Sequence, residues 1–71
     1  MKEKILEILK KNYFGELLIN NSIKLSENNY GVYFSAGNNE DFETYFVIVN
    51  IDNGSIEEVE DDDLIDIIFN K

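Results

Sequence analysis

Phe42-Glu43-Thr44-Tyr45-Phe46-Val47-Ile48-Val49-Asn50-Ile51-Asp52-Asn53-Gly54-Ser55-Ile56-Glu57-Glu58-Val59 is the segment on which the fold class turns. Residues 42–51 alternate like a strand: Tyr45, Val47, Val49 and Ile51 face one way, Phe46 and Ile48 the other. Apolar side chains on both faces predict a central strand covered on each side. Asp52-Asn53-Gly54-Ser55 predicts a hairpin turn, because Asn-Gly tolerates positive φ. Ile56–Val59 then reads as the returning strand.

Upstream, Tyr30–Phe34 predicts another strand, with Tyr30, Val32 and Phe34 on one face and Gly31 and Tyr33 on the other. Tyr33 points away from the other aromatics of its strand, so one of the two faces is a candidate for exposure. Ala36 to Asp41 reads as a polar loop around Gly37-Asn38-Asn39, and Asn28-Asn29 as a turn. Leu17–Ile19 and Ile23–Leu25 are short apolar pieces around Asn20-Asn21-Ser22. They suit a small hairpin or a helix–loop passage, and we read them as strands.

Both ends of the chain read as helix. In residues 2–13, Ile5, Ile8, Leu9 and Tyr13 fall near one stripe with Leu6 beside it. Glu7 precedes Lys10 and Lys11 in the favourable order, the lysines lie at the negative end of the helix dipole, and Gly15 is a natural stop. Asp61–Phe69 carries its acids in the first turn and an apolar face of Leu64, Ile65, Ile67, Ile68 and Phe69. The expected fold is therefore α+β: an N-terminal helix, an antiparallel three- to five-stranded meander and a C-terminal helix, in one domain spanning 1–71.

The segment Phe46–Val59 resembles the terminal hairpin of PepSY-type and cystatin-like domains, in which a strand, an Asp-x-x-Gly-like turn and a return strand close a helix-plus-meander fold. The resemblance covers about a fifth of the 71 residues. It implies the meander and carries no functional residue with it.

Composition narrows the chemistry. The chain has no His, Cys, Arg, Trp or Pro. Without Cys there are no disulfides, and without His or Cys there is no zinc site of the usual ligands and no conventional base for a nucleophile. Ser22, Ser26, Ser35 and Ser55 sit in or beside predicted turns. A calcium loop starting at Asp52 fails, because Gly54 and Ile56 occupy ligand positions three and five. Gly15, Gly31, Gly37 and Gly54 are isolated and form no phosphate loop. The expectation is no catalytic, metal or cofactor site.

Charge is the remaining signal. The formal net charge is −9. Residues 1–24 hold five lysines against three glutamates, a net of +2, and the rest holds Lys71 against twelve acids, a net of −11. Lys2, Lys4, Lys10 and Lys11 are interleaved with Glu, and no Arg is present to fork onto guanine or phosphate, so direct nucleic-acid binding is not expected. The charged, broken N-terminal run reads as no signal peptide, and no stretch reaches the roughly 20 apolar residues of a membrane span. The setting expected from this is cytoplasmic.

A field of this sign steers a protein toward Lys/Arg-rich surfaces. The composition is similar to that of small acidic phage-type inhibitors, the anti-CRISPR and antirestriction DNA mimics. The functional expectation is an interaction protein that blocks a basic surface on a partner protein, a nuclease or other nucleic-acid-binding protein. Its candidate contacts are Glu40, Asp41, Glu43, Glu57, Glu58, Glu60, Asp61, Asp62 and Asp63. The alternatives are an immunity or antitoxin-type protein covering a cognate toxin, and a structural module that self-associates through a sheet edge or the Ile/Phe-rich helix.

Overall fold

A computed structural model describes residues 2–38 and 40–69. The order is α1 (Lys2–Asn12), β1 (Glu16–Lys24), β2 (Asn29–Asn38), β3 (Asp41–Asn50), β4 (Ile56–Glu58) and α2 (Asp62–Phe69). The strands form one antiparallel sheet in the order β1-β2-β3-β4, an α+β meander with no crossover. The helices lie on opposite faces of it. No helix among the described residues is long and apolar enough to cross a membrane.

The α1 face holds the core. Ile5, Ile8 and Leu9 recur at helical spacing and pack on Val32, Phe34, Ala36, Val47, Val49 and Ile51. Phe34, Leu9, Val32, Val47 and Val49 are wholly inaccessible to solvent. Each such aliphatic or aromatic side chain contributes about 1.5–3 kcal/mol by leaving water, so this face supplies most of the fold's driving force. The helix stops one residue before the predicted Tyr13. There the Asn12 amide donates to the Ile8 carbonyl (2.8 Å) and the Tyr13 N–H to that of Leu9 (2.9 Å). Glu7 and Lys11 form an exposed ion pair at 3.9 Å, worth only a few tenths of a kcal/mol. Gly15 does take positive φ (89°), but beyond the helix end, where the chain turns into β1.

The opposite face is covered by α2. Tyr33 and Phe46, direct partners across β2 and β3, stack with centroids 4.6 Å apart and planes 7° from parallel. Phe69 closes on this pair at 6.2 Å from Tyr33 and 5.4 Å from Phe46. Gly31 makes room for the helix: a Cβ there would stand 2.8 Å from Ile68 Cγ2. Tyr33 is therefore half-buried under α2. As predicted, β3 is an inner strand with a helix over each face. Leu64 and Ile67 of α2 point outward and are exposed.

Two expectations need correction. Asn20-Asn21-Ser22 is no turn, because β1 runs unbroken through it with a β-bulge that leaves Asn20 without a Cα partner. On an edge strand the polar side chains stay in water while β2 satisfies the backbone on the other side. Ala36–Asp41 is mostly strand: Ala36 is buried beside α1 and pairs with Glu43, so core packing extends β2 to Asn38. The expected turn at Asp52–Ser55 joins β3 to β4, with Gly54 at positive φ (76°). The Asn50 side-chain oxygen accepts the N–H groups of Asp52 (2.9 Å) and Asn53 (3.1 Å), which organises the loop up to Ser55. Phe14 is 93% exposed and Phe42 38%, so neither ring belongs to the core.

Candidate binding surface

Where α1 ends, its last ring drops onto the sheet. Tyr13 meets Phe34 edge-on (5.0 Å, 72°) and lies 4.9 Å from Tyr45, which stacks on Phe34 at 5.3 Å. Tyr45 shares the α1 face with Glu43 two residues earlier, and Glu58 joins them from β4, opposite Val47. The Tyr13 hydroxyl donates to Glu58 Oε2 and the Tyr45 hydroxyl to Glu43 Oε2, each at 2.9 Å. Tyr13, Tyr45 and Glu43 border an open cleft of about 470 Å³ that also takes in Asn12, Phe14, Asn38 and Asp41. A smaller notch of about 200 Å³ beside it is lined by Thr44, Phe46, Glu58 and Glu60.

The two phenols are harder to ionise than ordinary tyrosines. For Tyr13 the causes are burial, then donation to Glu58, then the charge of Glu58. For Tyr45 they are donation to Glu43, then burial, then the charges of Glu43 and Glu58. A raised phenol pKa means the folded chain holds protons that the unfolded chain releases, so this stability is present below about pH 10 and is lost above it. Urea unfolding from pH 8 to 11 should show stability falling as the pH rises past about 10. Tyr13→Phe should flatten that slope, and a slope unchanged in the variant would remove Tyr13 from the account.

The nine carboxylates predicted as contacts are all exposed. Glu40 lies in the β2–β3 turn. Asp41 and Glu43 line the tyrosine cleft, and Glu58 and Glu60 the adjoining notch. Glu57 pairs with Ile48 and faces the other side of the sheet. Asp62 and Asp63 open α2, and Asp61 caps it: its carboxylate accepts the Asp63 N–H (2.9 Å) and its carbonyl that of Ile65 (3.0 Å). Asp61 thus has a structural role that the charge map did not anticipate. Among the described residues none of the nine forms an ion pair with a lysine.

Sequence reasoning missed Tyr13, Tyr45 and Asn12 as part of this surface. A signal was present: Glu43 and Tyr45 are two apart in a strand, hence on one face, and Tyr13 ends the apolar stripe of α1 with a polar tip. Pairing with Glu58 depends on a contact 45 residues away in sequence. Among the described residues no group of acids is arranged to hold a metal ion.

Neither a protein-family model nor a curated protein nor a solved structure matches the chain.

Proposed function

We propose that this chain is a non-enzymatic acidic binding protein that docks on a basic surface of a partner protein and blocks it, in the manner of a phage-type inhibitor aimed at a nucleic-acid-binding protein of the cytoplasm. The observation that carries the reading is the concave set of Asp41, Glu43, Glu58 and Glu60 around two tyrosine rings, with no lysine of the described chain paired to any of them. Carboxylates beside π faces suit an incoming ammonium or guanidinium, which both attract. The β3–β4 side also offers a pairing edge: β4 covers only Val47–Val49, so Asp41 to Tyr45 present an outer backbone edge to which a partner strand can add. The absence of His, Cys and Arg and the exposure of the acids support binding rather than turnover.

Affinity capture from the host, followed by titration of the captured protein, tests this. Binding should weaken at least tenfold between about 50 and 200 mM salt, and duplex DNA should compete for the partner's surface. Combining Asp41→Lys, Glu43→Lys and Glu60→Lys should cost on the order of a hundredfold. A partner whose binding ignores both salt and these changes would overturn the reading.

A further inference from the structure

The outer edge of β1 is the longest unpaired backbone edge in the described fold. It runs nine residues, Glu16–Lys24, at one side of the sheet, while the opposite side ends in the three-residue β4 with Glu57 and Glu58 on it. A strand edge of that length, roughly 30 Å, presents a row of free N–H and C=O groups and is a template for another strand. Neither proline nor an inward-pointing charge blunts it. Its one irregularity is the Asn20 bulge, near its centre.

We propose that β1 pairs antiparallel with β1 of a second copy of this chain, joining two four-stranded sheets into one of eight. Charge selects this edge. A copy carrying −9 in total is repelled at the β3–β4 side, where the acids gather, whereas α1 and β1 lie in the only third of the chain with a net positive charge. Pairing through β1 leaves the two acidic surfaces at the far ends of the joined sheet. An antiparallel dyad also brings Glu16 of one copy toward Lys24 of the other at each end of the seam. The bulge turns these two side chains to opposite faces, so they attract through the local field rather than as a hydrogen-bonded pair.

Packing agrees with that choice. Leu18 is 57% exposed, on the α2 face of the sheet with Ile23. In the antiparallel register that keeps like faces continuous, Leu18 of each copy lies opposite Ile23 of the other. Two apolar pairs then flank the dyad, and the bulged Asn20 residues meet near it. The proposal is independent of the acidic surface, which it leaves open in both copies.

Sedimentation of the full chain from about 1 to about 500 µM, a span suited to a small interface, tests the pairing. The expected result is a reversible monomer–dimer equilibrium. Leu18→Asp, at an exposed position where circular dichroism should show the fold retained, should weaken it at least tenfold. Glu16→Lys and Lys24→Glu should each weaken it about threefold, and the two together should restore it, because the swapped pair is again complementary. A monomer throughout the range overturns the proposal, as does a dimer indifferent to Leu18→Asp or one that the double swap fails to restore.

Discussion

Phe34→Ala should leave little folded protein at 25 °C. Phe34 is fully buried at the centre of the α1 face, where Tyr13 and Tyr45 both pack on its ring. Truncating a buried Phe costs about 3–5 kcal/mol through lost burial and the cavity left behind. A 71-residue domain has a total stability on the order of 4–11 kcal/mol, with small domains at the lower end. Phe46→Ala makes the comparison: it removes a half-buried ring from beneath α2 and should cost about 1–3 kcal/mol, freeing the helix while the α1 face persists. Urea melts followed by far- and near-ultraviolet circular dichroism separate the two. Equal losses would mean that the two faces contribute alike and that the α1 side is not the principal core.

The second large effect is expected at Gly15. Its φ of 89° lies in the region that favours glycine, and a Cβ there would collide with the carbonyl of Gly37, a backbone atom that cannot swing aside. Gly15→Ala should therefore cost about 2–4 kcal/mol, combining left-handed strain with a forced shift of the β1–β2 pairing at Glu16 and Gly37. Gly54→Ala is the matched control. Gly54 also has positive φ (76°), but a Cβ there would meet nothing within 4 Å, so about 1 kcal/mol is expected. A thermal melt of each variant gives the answer. Equal costs at the two positions would show that the close approach to Gly37 adds nothing.

Much of this fold is legible from residue order, and the reasons are local. The α1 stripe of Ile5, Ile8 and Leu9 and the alternation of Val47 and Val49 against Phe46 and Ile48 follow from the periods of helix and strand, whichever partners those elements find. Asp61 before an apolar helix is a capping signal as much as a charge. Where reading failed, a tertiary contact outweighed a local preference. Gly37 and Asn38 suggest a loop, yet burial of Ala36 against α1 carries β2 through them to the turn. Asn20-Asn21-Ser22 suggests a break, yet pairing with Tyr33 and Val32 of β2 spans it at the cost of one bulge. The acids were legible as a cluster in sequence, but only the register of β4 on β3 puts Glu58 on the same face of the sheet as Glu43 and parts both from Glu57.

The sequence by itself determined the α+β class with a helix at each end of a meander, most of the side chains that enter the core, and a negative field confined to the C-terminal two thirds. Periodicity and charge are properties of neighbours along the chain, so they can be read without coordinates. Only the tertiary structure decided which face each helix covers, that two tyrosines from distant segments share one cleft and each donate to a glutamate, and that β1 keeps an open edge on the less acidic side of the sheet. Those outcomes depend on strand register and on which surfaces remain after packing, and no stretch of residues carries that information alone.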